Sequence, residues 1–181
     1  MAIWILRYGH RRMRDARAST HVALAARALG SSGIIFEGDE DEALMERLKK
    51  IAGEWGGSFE VKYTKNWIGE VERFKKNGGI FVHLTMYGWP VLESIEAVRA
   101  HPKDVMVLVG SQKVPTEAYE MADFNIAVTG QPHSEIAALA VFLDQYFKGK
   151  ELGRVFDGAE KRVEPSKCGK NVIVCEKKGQ V

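Results

Sequence analysis

No stretch of this chain approaches the ~20 consecutive apolar residues needed to span a bilayer. Residues 1–6 carry no basic segment ahead of their short apolar run, so they read as a strand and not as an export signal. We therefore expect a cytoplasmic protein with no membrane partner. Cysteine is scarce: Cys168 and Cys175, in "CGKNVIVC", are the only two. Their spacing matches no zinc ligand set and no second Cys/His pair lies nearby, so no metal site is expected. They are either two thiols on a strand pair or a disulfide across a C-terminal hairpin, the latter unusual in cytosol outside hyperthermophiles. Also missing, after any strand, are a GxGxxG and a Walker A motif, which disfavours a standard NAD or ATP site. Net charge is low as well, at +2.

That low net charge conceals an uneven distribution. Residues 1–30 hold six arginines against Asp15, for +5, and residues 148–181 hold nine Lys/Arg against five acids, for +4, leaving −7 between them. Two basic ends around an acidic middle form a nucleic-acid footprint if the ends meet in space. The densest segment is "RYGHRRMRDARASTH", which reads either as a solvated basic loop or as a grip for a polyanion. With 181 residues the chain is long enough for one domain with a proper core and a small appendage.

Hydrophobic periodicity alternates along the chain. Strands are expected at 3–9, at "GIIFEG", "SFEVKYT" and "GIFVHLTMYG" (79–88), and at 104–110 and 124–130. Helices are expected between them: at 19–30 with Ser/Thr caps and a closing Gly30, at "DEDEALMERLKKIAGEWGG", "NWIGEVERFKKNGG", "WPVLESIEAVRAH" and "VPTEAYEMA", and at 133–149. Near-continuous apolar strands separated by helices predict a mostly parallel sheet covered on both faces. The predicted organisation is an α/β domain over 1–149 and a basic extension over 150–181, the latter a β-hairpin around Pro165 and Gly169. In such sheets ligands sit at the carboxyl ends of strands. The helix at 133–149 is apolar almost all round, which calls for burial on more than one side, and we expect a homodimer.

Three segments, "RDARASTHVALAARALG", "HLTMYG" and "VGSQKVPTEAYEMADFNIAVTGQPHSEIAALAVFLD", together resemble the archaeal tRNA cytidine-56 2′-O-methyltransferases, of the SPOUT superfamily of trefoil-knot RNA methyltransferases. The resemblance covers most of the chain and implies a C-terminal knot, S-adenosylmethionine as cofactor and tRNA as partner. On the family pattern the cofactor touches Leu84 and the turn Thr85, Met86, Tyr87 and Gly88. It also touches the loop Gly110, Ser111, Gln112, Lys113 and Val114. The last loop supplies Val128, Thr129, Gly130, Gln131, Pro132, His133, Ser134 and Glu135. Gln112 stands where the pattern carries an acid and cannot act as a carboxylate. His133-Ser134-Glu135 replaces the Ser-x-Asn common in the wider superfamily.

The resemblance also implies that an N-terminal arginine, contributed near a partner's cofactor, serves catalysis. An arginine charged at any ordinary pH is better suited to fixing a phosphate and stabilising alkoxide character than to acting as a base. His21-Val22-x4-Arg27 parallels the superfamily's Asn-Val-x4-Arg and favours Arg27. Arg14 and Arg17, placed in a loop and a first helical turn beside a helix N-terminus, have the better anion site. The order of candidates is Arg17, Arg14, Arg27, with His21 as an assisting base, and Arg7, Arg11 and Arg12 are assigned to RNA phosphates. The competing readings are an inert RNA-binding module on the same scaffold and a small-molecule nucleotide enzyme, the latter weakened by the missing phosphate loop.

Overall fold

The computed structural model describes residues 1–175, so the end of the expected extension, with Lys177 and Lys178, lies outside the described residues. Six strands form one sheet: β1 (Ile3–His10), β2 (Gly33–Gly38), β3 (Glu60–Thr64), β4 (Ile80–Pro90), β5 (Val105–Gly110) and β6 (Phe124–Ala127). Their order is β3-β2-β1-β5-β4-β6, and every neighbouring pair is parallel. Central strands buried on both faces can be apolar at consecutive positions, as β5 is with Val105 to Val109 all buried.

Helices α1 (Arg12–Ala28), α2 (Glu42–Trp55), α4 (Val91–Ala100) and α6 (Glu135–Phe147) cover one face through Val22, Leu44, Ile95 and Phe142. Helices α3 (Trp67–Lys76) and α5 (Thr116–Met121) cover the other through Trp67, Val71 and Ala118. The side chains of Leu139, Phe142 and Leu143 in α6 are fully buried, each contributing on the order of 1.5–3 kcal/mol. Much of the apolar character of α6 is therefore satisfied inside one chain, with Val141 left exposed.

The first helix begins earlier than its Ser/Thr residues suggest, at Arg12. Asp15 accepts from the Arg11 backbone N–H at 3.1 Å and from Arg11 Nε at 2.8 Å, tying down the first turn in place of a side-chain N-cap. The carboxylate also suits the positive end of the helix dipole. The residues expected to cap are occupied elsewhere: Ser19 is buried, and the Thr20 hydroxyl donates to the Ala16 carbonyl at 2.7 Å. The arginine-rich segment is thus strand end and helix, not loop.

Strand β4 runs on to Pro90, but residues 85–88 leave the ladder, and both Leu84 and Trp89 pair with Ile126 of β6. A Cβ on Gly88 would lie 2.6 Å from the Asn125 carbonyl group and the Ile126 nitrogen, so this return passes too close to β6 for any side chain.

After α6 a single 3-10 turn (Lys150–Gly153) leads to an extended crossing and an antiparallel pair, β7 (Lys161–Glu164) with β8 (Asn171–Val174). The expected hairpin is present, but its cysteines do not face each other. The ladder pairs Glu164 with Asn171 and Lys161 with Val174, which puts Cys168 in the turn and Cys175 opposite Glu160, and both are free. No helix among the described residues is long and apolar enough to cross a membrane.

Candidate active site at the carboxyl ends of the sheet

The excursion after β4, the loop after β5 and the loop before α6 converge on one cleft of about 410 Å³. Of the residues expected to touch the cofactor, Leu84, Thr85, Met86 and Tyr87 line it from the first segment, and Gly110, Gln112, Lys113 and Val114 from the second. Pro132, His133 and Glu135 line it from the third. The others are near in sequence but do not line the cleft. Ser111 turns its hydroxyl back to the carbonyls of Tyr8 and Gly9. Ser134 caps α6, accepting from the Ala137 N–H at 3.2 Å. Gly88 lies against β6, Val128 packs on the core, and Thr129 Oγ1 accepts from the Gln131 N–H at 3.3 Å beside exposed Gly130.

Sequence reasoning missed part of this wall. His83 and Tyr119 line the cleft, with their rings edge-to-face at 4.5 Å. Asn125 donates from Nδ2 to the Tyr119 carbonyl at 2.9 Å, which turns its Oδ1 toward His83 Nδ1, also 2.9 Å away. Burial pushes the His83 pKa below its ordinary value, outweighing the bond to Asn125. The lowered value favours the uncharged ring at neutral pH, and the Asn125 Oδ1 acceptor favours the tautomer with its proton on Nδ1. Thr85 Oγ1 and Tyr119 Oη lie 3.1 Å apart, completing a polar chain along one side. Both lie inside segments singled out above, His83 opening "HLTMYG" and Tyr119 within the segment that begins at Val109, but neither was assigned to the site, because His83 reads as part of an apolar strand and Tyr119 as part of a short helix.

The arginines separate into three groups. Arg7, expected to hold RNA phosphate, is fully buried and faces inward. It donates to the Gly110 carbonyl at 2.9 Å and pairs with Glu135 at 2.8 Å, tying two of the cleft loops to β1. Burial lowers its pKa more than Glu135 raises it, but a guanidinium keeps its charge and the pair supplies the compensation. The assignment to phosphate is corrected: a side chain without solvent exposure presents nothing to RNA. Behind it, Ser19 Oγ lies 2.9 Å from His10 Nδ1, while the His10 Nε2 to Asp41 separation of 3.6 Å exceeds hydrogen-bond length.

Arg27 is a second correction. It is nine-tenths buried at the far end of α1, with its guanidinium on the Gly56 carbonyl and over the Phe156 ring, and it lines a separate cleft at the opposite edge of the sheet. Arg14, Arg17 and His21, by contrast, follow i, i+3, i+7 spacing and form one exposed stripe on α1. None of the three lines the cleft of its own chain, and among the described residues neither Arg14 nor Arg17 has an ion-pair partner. Arg12 is exposed, whereas Arg11 is half-buried on Asp15, which holds the Asp15 carboxyl below its usual range.

Residues 55–173 match the family model described as "tRNA ribose 2'-O-methyltransferase, aTrm56". The chain is 51% identical over 175 residues to the tRNA (cytidine(56)-2'-O)-methyltransferase of Methanocaldococcus jannaschii, covering 96% of this chain and 97% of the relative. It is 48% identical over 168 residues to the enzyme of the same name from Methanopyrus kandleri, covering 93% and 94%. Among solved structures it resembles the SpoU methyltransferase AviRb of Streptomyces viridochromogenes, crystallised with AdoMet, at a TM-score of 0.58 and 12% identity. That match covers 85% of this chain and 59% of the longer protein, and it shows the fold alone. Sequence similarity over nearly the whole length, on a sheet whose strand ends converge as described, establishes that the chain belongs to the tRNA ribose 2′-O-methyltransferase family.

Proposed function

We propose that this protein transfers a methyl group from S-adenosylmethionine to the 2′-hydroxyl of cytidine 56 in tRNA, as the names of its relatives describe for them. The observation that carries this reading is the convergence of the three segments on one cleft, whose volume of about 410 Å³ suits a ligand of that size. Apolar Leu84, Val109, Val114 and Ala138 offer a slot for a flat base, and Thr85, Tyr119 and the loop backbones offer polar partners for a sugar. The bound cofactor supplies an electrophilic methyl group on a sulfonium.

The remaining work falls to the chain. Arg7 holds the Gly110 and Glu135 loops in place, so the cleft is formed before any ligand arrives. The exposed stripe of Arg17, Arg14 and His21 does not line the cleft of its own chain, and a homodimer that lays α1 of one copy beside the cleft of the other would bring it there. Exposed Tyr87, Trp89 and Leu92 beside the cleft form an apolar surface that a second copy would cover. In that arrangement Arg17 fixes the phosphate next to the target ribose and stabilises the developing alkoxide, and Arg14 supports it. Exposed Arg12, with the half-buried Arg11, and the basic extension over 150–181 hold the RNA backbone. The non-sequential order β1-β5-β4-β6 is compatible with the trefoil knot implied by the resemblance, which belongs to this same reading, as does a cytoplasmic location.

The test is methyl transfer from labelled S-adenosylmethionine to an unmodified tRNA transcript, beside a matched transcript carrying 2′-deoxycytidine at position 56. Label on the first alone is the expected result. Label on both moves the target to another atom, and label on neither removes the activity.

A further inference from the structure

The second cleft, at the edge of the sheet where β2 and β3 begin, has a volume of about 510 Å³ and lies apart from the cofactor cleft, although its lining includes Arg154 of the basic extension. It is built by the last turn of α1, the loops entering β2 and β3, and the crossing that follows the 3-10 turn. That crossing is docked and not loose. A Cβ on Gly56 would lie 2.6 Å from the Asp157 carbonyl oxygen, and one on Gly57 would lie 2.7 Å from the Phe156 ring. Gly57 N–H donates to the Asp157 carbonyl at 2.8 Å.

Two guanidinium groups meet over one aromatic ring here. Arg27 stands 4.8 Å and Arg154 5.8 Å from the Phe156 centroid. Arg154 donates one guanidinium N–H to the Gly30 carbonyl at 2.9 Å, just past the end of α1, and its other guanidinium donors have no partner among the described residues. Arg27 Nε and Ser31 Oγ are buried and have no hydrogen-bond partner, although both residues line the cleft. Buried donors left unpaired cost stability unless something accepts from them. Asp157 is the one acidic residue of the lining, so the wall keeps a net positive charge.

We propose that this cleft is a second binding site, which takes a phosphate group between Arg27, Arg154 and the Ser31 hydroxyl. Guanidinium forks and a hydroxyl match tetrahedral oxyanions in geometry as well as charge. The volume leaves room for what the phosphate is attached to, as on a nucleotide. The proposal does not depend on the activity assigned to the other cleft, which lies at the opposite ends of the strands.

The experiment titrates 15N-labelled full-length protein with inorganic phosphate, following the amides of residues 31–32 and 56–59. In parallel, the salt dependence of tRNA binding is measured for wild type, Arg154→Gln and Ser31→Ala. Saturable shifts at those amides, lost in both variants, are expected. If the natural phosphate belongs to RNA, Arg154→Gln also lowers the log–log salt slope by about 1. If it belongs to a free nucleotide, that slope stays unchanged while phosphate binding is lost. A fall in slope without a response to inorganic phosphate overturns the phosphate site, because a general RNA contact of the extension gives the same fall. No saturable shift in wild type together with an unchanged slope overturns the proposal, as do shifts that persist in both variants. Thermal melts without phosphate separate these outcomes from misfolding.

Discussion

Arg7 shows how one buried charge organises a site without touching a ligand. Its guanidinium joins β1 to the Gly110 carbonyl and to Glu135, so removing it frees both loops at once. Arg7→Met is expected to cost about 2 kcal/mol in urea unfolding, the usual range for hydrogen bonds to a charged group. It should also weaken S-adenosylmethionine binding by about tenfold, equivalent to ~1.4 kcal/mol, as read by calorimetry. Arg17→Ala should behave oppositely, abolishing methyl transfer while leaving cofactor affinity near wild type, because Arg17 is exposed and outside the cleft of its own chain. Buried imidazoles set the acid limb of stability. Burial holds both His83 and His10 below the ordinary value of 6.5, with nearby Asp41 opposing it at His10. Below that ordinary value the unfolded chain binds more protons than the folded one, so stability falls as pH drops through it. The loss levels off once the folded rings also protonate. The urea midpoint should therefore decline as pH falls through the ordinary imidazole value, and His83→Gln should flatten that decline.

Among the elements, α1 carries the most diverse duties. Its first turn rests on Asp15, its buried face packs Val22, Ala23 and Ala26 on the sheet, its exposed stripe presents Arg14, Arg17 and His21, and its last turn sends Arg27 to the opposite edge. The crossing at residues 154–159 depends on glycine in the facing loop. Gly56 combines a φ of +77° with a Cβ direction blocked by the Asp157 carbonyl and Ala159. Gly56→Ala should destabilise the protein by about 1–3 kcal/mol, the range for a residue forced into a disfavoured backbone region, and thermal melts would show it. A melting temperature equal to wild type would mean that the crossing is not docked in solution.

For the whole molecule, the central question is whether one chain completes its own site. Stripe and cleft are separate in the single chain, so activity should need two copies. Mixing Arg17→Ala subunits with Thr85→Trp subunits, whose clefts are filled, tests this directly. Random pairing of two dead variants should restore roughly a quarter of wild-type turnover if a dimer shares its sites across a two-fold interface. No recovery in a mixture shown to exchange subunits would place the arginine and the cleft of one chain in the same site.

The order of strands and helices, the parallel sheet, the C-terminal hairpin and the three glycine-bearing loops were all legible in the residues. Each depends on local periodicity, turn chemistry or a contiguous motif, and such signals survive without knowledge of neighbours. The start of α1 was misread because Ser19 and Thr20 look like caps to any local rule, while the partners that occupy their hydroxyls come from β1 and from the preceding turn. The arginines were sorted only by tertiary structure. Six arginines along β1 and α1 would be indistinguishable in solution; the fold pairs buried Arg7 with Glu135, 128 positions away, turns Arg27 toward the opposite edge, and leaves Arg14 and Arg17 outside. Burial and long-range pairing depend on which segments meet, and a local pattern of charge carries no record of that meeting.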